Sequence, residues 1–266
     1  MRKKQIIQSV VFVILFVLIS AQGNTQTSKI FVGYIDNYPV FDSYKEKKVY
    51  IFKDTIKELF DYPKSYSLVA INNNFKLYSE NRTKENIDII LCMDNIEKRY
   101  SVNTGGAFIV LDKNGTVFFT DRKQSIKCII NDEIKDTGLK GYCLDIVEGV
   151  LYYSIEHNPD VIYPDMDIFE INIKTLKNPR KILANVLGDG NGSTLILSGG
   201  NYIYDYKLMD GGFQPILYDV EKEIYKRVFV EEKPSLGYFY SFQEDALIFY
   251  NYETLEFQIV DIYDGW

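Results

Sequence analysis

A turn followed by a pair of large apolar residues returns six times along this chain. The copies are Val40-Phe41 in "NYPVFDSYKE", Leu77-Tyr78 in "NNNFKLYSE", Val117-Phe118 in "DKNGTVFFTD", Leu151-Tyr152 in "VEGVLYYSIE", Tyr202-Ile203 in "SGGNYIYDYK" and Leu247-Ile248 in "QEDALIFYNY". They stand roughly 40 residues apart, a period that marks a repeat architecture. One such unit is too small to bury its own apolar face, so its core must come from stacking on its neighbours.

Each unit holds more than one hairpin. After "LYYSIE" come "DIFEINI" and "TLKNPRKILAN"; after "YIYDYK" come "QPILYDV" and "IYKRVFV"; after "VFDSYKE" come "KVYIFK" and "TIKELF". Tyr, Phe, Val and Ile fill these runs, and Gly, Asn or Asp occupies the breaks, which is strand and turn chemistry. In "DTIKELFDY", Ile56, Leu59 and Phe60 would share a helix face, but the place of this stretch as fourth segment of a unit predicts a strand. Four short strands per unit predict an all-β, six-bladed β-propeller. The last unit supplies three strands, "GYFYSF", "ALIFYNY" and "FQIVDIY", and the first run, "KIFVGYI" at residues 29–35, has no hairpin partner of its own. The economical expectation is that residues 29–35 complete the final blade and close the ring, which protects a bare sheet edge.

The stretch "EGVLYYSIE…DIFEINIKTLKNPRKIL" resembles blades of six-bladed propellers of the TolB-like and YWTD-like kind, in which a turn and "LYY" hairpin precede an "I-F/Y-x-I-N" strand and a "K-x-L" strand. The YWTD tetrad itself does not occur. The resemblance implies the fold and carries no functional residue with it.

The N-terminus differs from the rest. Arg2, Lys3 and Lys4 precede an apolar run from Ile6 to Ile19 broken only by Gln8 and Ser9, and Ile19-Ser20-Ala21 supplies small residues for cleavage. That layout predicts a signal peptide over 1–21, a polar linker over 22–28 and a propeller domain over 29–266. An exported chain follows, periplasmic, envelope-bound or extracellular, with membrane contact only if the segment is retained as an anchor. The chain carries 30 basic and 37 acidic residues, a formal net charge of −7, and loss of the three N-terminal cations makes the mature chain more acidic still. An acidic chain without a basic run argues against nucleic acid as a partner. Cys92, Cys128 and Cys143 lie inside apolar runs, where free thiols pack as small hydrophobes. No Cys/His spacing suggests zinc.

Chemistry-bearing residues gather in "EHNPDVIYPDMD". His157, the sole histidine, stands there with Asp160, Asp165 and Asp167. Imidazole beside carboxylates can bind a ligand or move a proton, whereas Asn, Asp and Pro are also what a plain solvated connection contains. These four are the candidate binding residues. The stretch "LGDGNGSTLILSGGN" opens like a calcium loop at Asp189, Asn191 and Ser193. It then places Thr194 and Gly200 where glycine and glutamate are required. No G-x-S-x-G nucleophile elbow occurs. The 22 tyrosines and 17 phenylalanines suit strands and cores, so among aromatics only the loop residues Tyr38 and Tyr163 suggest a surface. No cofactor and no metal site is implied. The expectation is a non-enzymatic binding module for a protein, peptide or glycan. The alternative is a carboxylate-dependent, glycosidase-like hydrolase with acids at the propeller axis.

Overall fold

The structure is a computed structural model. It describes residues 29–36, 38–81, 86–94, 96–104, 108–157, 165–187, 195–197, 200–209, 212–228, 237–243, 246–251 and 256–263. The expected signal peptide, the linker, Asp160, Tyr163 and the Asp189–Ser193 stretch lie outside the described residues.

Every regular element among the described residues is a strand. The first meander comprises β1 (Ile30–Ile35), β2 (Tyr38–Ser43), β3 (Lys48–Lys53) and β4 (Thr55–Asp61); the second β5 (Ser67–Asn72), β6 (Phe75–Asn81), β7 (Ile87–Met93) and β8 (Ile96–Val102). The third comprises β9 (Ile109–Leu111), β10 (Val117–Thr120), β11 (Ser125–Ile130) and β12 (Glu133–Lys140); the fourth β13 (Tyr142–Val147), β14 (Val150–Glu156), β15 (Asp165–Asn172) and β16 (Arg180–Leu187). The fifth comprises β17 (Leu195–Leu197), β18 (Tyr202–Met209), β19 (Gly212–Asp219) and β20 (Ile224–Val228); the last has β21 (Gly237–Gln243), β22 (Ala246–Asn251) and β23 (Glu256–Tyr263). Within each meander, consecutive strands pair antiparallel.

The turns obey backbone sterics. Asn131-Asp132 and Glu148-Gly149 close two-residue hairpins with every φ positive, from 50° to 80°, the conformation whose twist matches the flanking strands. "DTIKELF" is strand β4, as its position in the unit predicts, and it is exposed along nearly its whole length. Outer strands β8 and β12 are exposed likewise.

The meanders pack face to face, and the strand period of two decides which side chain serves which interface. Leu77 and Ile89 pack against Val117 and Phe119 of the third meander. Their immediate neighbours Tyr78 and Ile90 pack against Val40, Val49 and Ile51 of the first. The pattern repeats: Phe118 meets Leu151 and Tyr153 across the next interface, and Tyr152 meets Ile203 and Tyr218 across the one after. Middle strands are therefore apolar on both faces, which is why the repeated motif is a pair of large residues and not a single one.

The pairing expected of residues 29–35 with the tail is not the one observed. β1 pairs antiparallel with β2 and, on its other edge, parallel with β5 through Gly33↔Ile71 and Tyr34↔Asn72. Gly33 makes that approach possible: at φ 134° a Cβ there would stand 2.0 Å from the Ile71 carbonyl oxygen, so no other residue fits. β23 instead meets the end of β20, through Arg227↔Tyr263 and Val228↔Ile262. Counting from the apolar pairs starts each unit at its second strand, which leaves the true first strand looking like an orphan.

Candidate functional site

Strand direction sorts the connections onto two faces. Since β1 and β5 run parallel and each meander alternates, the links between meanders and the turns between second and third strands share one side, the link face. Hydrogen bonds tie this face together: Tyr62 N to Lys47 O, Thr120 N to Phe108 O and Gly141 N to Gln124 O. The remaining hairpins share the opposite side, the turn face, where Asp36 N donates to Asn73 Oδ1 and Asn72 Nδ2 to Leu111 O.

His157 and Asp167 come together on the link face. The β14–β15 register sets Asp167 opposite Ile155, and His157 Nε2 lies 2.9 Å from Asp167 Oδ1. Lys181 Nζ, on β16, donates to Asp167 Oδ2 at 3.2 Å, and Asn185 N donates to Oδ1 at 3.3 Å. Burial of Asp167 works to raise its pKa, but the bonds from His157, Lys181 and Asn185 together outweigh it, and the carboxyl titrates below its ordinary value. Asp165 contributes only its backbone carbonyl, which accepts from His157 N at 2.9 Å; its side chain is exposed. Of the four candidates, two meet through their side chains, one serves through its backbone, and Asp160 is outside the described residues. The arrangement holds an imidazole at the surface on a buried anion. No metal-ligating group of three or more His, Cys, Asp or Glu occurs among the described residues.

Other residues of this face carry no sequence signature. The last residue of the 44–47 turn, Lys47 (φ 56°), and of the 121–124 turn, Gln124 (φ 58°), both adopt a left-handed backbone. Each reaches toward the next meander. Lys47 Nζ donates to Tyr66 O at 2.8 Å and sits 3.6 Å from the Tyr44 ring centroid. Gln124 Nε2 donates to Tyr142 OH at 2.6 Å, and that hydroxyl donates to Glu156 Oε2 at 3.2 Å. Thr120 completes the joint, donating from Oγ1 to Gly141 O at 3.2 Å and accepting from Cys143 N at 3.0 Å. These are clasps between neighbouring sheets. A positive φ at Lys or Gln is the signal that betrays them, and it is visible only in coordinates.

Nearer the axis, on inner strand β13, burial lifts the Asp145 carboxyl to about 6, opposed only by the Ile146 N–H it accepts at 2.7 Å. No second carboxylate among the described residues contributes to that shift. Cys128 and Cys143 are buried free thiols and Cys92 is half-buried; burial pushes Cys143 up to about 12, which makes it a packing residue and a poor nucleophile.

No family model matches the chain. Among solved structures it is similar to the β-propeller domain of Myceliophteria thermophila Cps50 (Swd1), with a TM-score of 0.53 and 12% identity over 90% of this chain and 84% of that one. It is also similar to a chain of a nidogen/laminin complex, with a TM-score of 0.51 and 12% identity over 82% and 87%. TolB from Acinetobacter baumannii matches at a TM-score of 0.48, 11% identity, over 82% of this chain and 60% of that one. The chain spans 27% of the tricorn protease chain, which it matches at a TM-score of 0.53 and 12% identity. At such identities the likeness is one of fold, and the fold is that of a β-propeller.

Proposed function

We propose that this chain is an exported, six-bladed propeller that binds a protein, peptide or glycan with its link face and has no catalytic role. Four meanders of identical order and a fifth joined to a three-stranded sixth support the blade count, and contact of β21 with β2 supports a closed ring. The N-terminal charge and apolar pattern supports export, with residues 1–21 removed. The observation that carries the binding reading is the His157–Asp167 pair, an imidazole fixed at the surface of a face built from links, since rigid scaffolds place recognition on their connections. The nidogen/laminin complex provides the analogy, at the level of fold, for a propeller engaged with another protein. The hydrolase alternative has Asp145 as the one acid with a raised pKa on an inner strand among the described residues.

Lysine-directed cross-linking in the native envelope, read by mass spectrometry, tests the reading. Partner cross-links are expected at Lys45, Lys64 and Lys123 on the link face, and not at Lys113, Lys174 and Lys177 on the turn face. Equal yields from both faces overturn it, as does glycoside turnover that Asp145→Asn abolishes. An N-terminus at or near Gln22 in the exported protein checks the cleavage.

A further inference from the structure

Charge divides between the two faces in a way the net value of −7 conceals. On the link face of the first three meanders stand Lys45, Lys47, Lys64, Arg122, Lys123 and Lys140, all exposed except the half-buried Lys47. Among the described residues of its turns and links, three acids share that side. Asp121 is turned inward, accepting from Lys123 N and Ser125 N and pairing with Lys127. Glu46 is taken by the Tyr50 hydroxyl at 2.8 Å, and Asp61 is exposed at the end of β4. On the turn face of the same three meanders the bias is opposite, with Asp36, Asp54, Asp94 and Asp132 exposed at the described hairpins against Lys113.

Pairing sharpens the contrast. Along the strands, Lys48 pairs with Glu58, Lys98 with Asp132, Lys127 with Asp121, Lys135 with Glu133 and Lys181 with Asp167. Lys45, Lys64 and Lys123 make no ion pair among the described residues. On the turn face Lys113, Lys174 and Lys177 likewise make no ion pair among the described residues. Over the first three meanders, however, Lys113 stands there against exposed Asp36, Asp54 and Asp94, so the positive excess and its local potential lie on the link face of these meanders. Such a field steers an oppositely charged partner within a Debye length of about 8–10 Å at physiological salt. Tyr44, next to Lys45 in the same turn, is 53% exposed, an aromatic of the type enriched in protein–protein contacts.

Resting on the binding reading above, we infer that the link face of the first three meanders docks an acidic polypeptide segment of a partner protein. Lys45, Lys64 and Lys123 supply the attraction and Tyr44 a packing anchor. The lysines are separate point charges on three turns and links, with no forked, bidentate geometry, so they match an extended run of carboxylates and not a single phosphate or carboxylate. Charge complementarity of this kind acts mainly on encounter rate and choice of partner.

The mature chain, titrated with a fluorescent polyglutamate peptide at low salt, tests the inference. Binding is expected to weaken with added salt and to fall at least about tenfold in Lys45→Glu/Lys64→Glu/Lys123→Glu, roughly what loss of three cation contacts removes. Lys113→Glu/Lys174→Glu on the turn face is expected to change it less than about twofold, as a charge beyond screening range. Circular dichroism confirms that each variant folds. Unchanged affinity in the triple variant overturns the inference, as does tighter binding of polygalacturonate than of polyglutamate. So does salt-sensitive self-association in sedimentation velocity that the triple variant abolishes, which would make a second copy the occupant. Link-face cross-links to a native partner together with no polyglutamate binding would remove the acidic segment and leave the binding reading standing.

Discussion

Thr120 joins three parts of the molecule through its hydroxyl and its backbone carbonyl. Its hydroxyl serves Gly141 O and Cys143 N of the fourth meander, and its own carbonyl accepts from Thr104 Oγ1 at 2.7 Å. It is 4% exposed, so no water replaces what a substitution removes. Thr120→Val is expected to cost about 1–3 kcal/mol, the penalty of leaving a buried N–H and C=O short of a partner, with Thr120→Ser recovering most of it in urea melts. Asp145 acts in the opposite sense. Its folded pKa, about 6, lies above the ordinary 3.8, so the folded state binds a proton more tightly than the unfolded one. Stability from this group is present below about pH 4 and declines as pH rises through 6. Asp145→Asn is therefore expected to raise the melting temperature at pH 7 and leave it unchanged near pH 4. The size is a few degrees, since about 1 kcal/mol moves a domain of this length by roughly 2–4 °C. Asp167, with its lowered pKa, contributes in the reverse window, losing its stabilisation as pH falls below the ordinary carboxylate value. At this scale the sequence was partly legible: the lone histidine among carboxylates marks the His157–Asp167 pair. Thr120, Lys47 and Gln124 carry no such mark, because their partners become neighbours only when two sheets meet.

At the scale of the element, the paired large residues are the informative feature. A strand covered on one side needs one apolar residue in two; these middle strands need both, and Phe118 and Phe119 each fill a different interface. Phe118 is fully buried, so Phe118→Ala is expected to cost about 3–5 kcal/mol, measurable as a drop in urea midpoint with little change in slope. Inner strands carry a second recurring device. β1, β5, β13 and β21 each slip register by one residue against their partner, at Phe31/Gly33, Leu68/Ala70, Cys143/Asp145 and Ser241/Gln243. Bulges of this kind increase local twist and suit strands crowded toward an axis. Strand existence, order and the four-strand unit were readable from alternation and turn residues. Phase was not, since the apolar pair falls on the second strand of each unit, while the first is short or bulged and half-polar. That is why residues 29–35 suggested a closing strand when they open the first sheet.

For the whole molecule, burial falls from the middle strands outward, and outer strands β4, β8 and β12 are mostly exposed. Amide hydrogen exchange is expected to report this gradient. Protection should be longest in β2, β6, β10 and β14, and amides of β4, β8 and β12 should exchange first through local opening; uniform protection across each meander would contradict it. On the proposed docking, the charge difference between the link and turn faces of the first three meanders orients the partner before contact.

The parallel pair between β1 and β5 has a consequence for how such a chain comes into being. By Asn72, where the β1–β5 register ends, the leading strand has both edges occupied. The hydrogen-bonded edges of β1 are filled without the carboxyl end, which meets this sheet through contact of β21 with β2. A polypeptide emerging amino end first can therefore join its first two meanders into one sheet while the remainder is still unsynthesised.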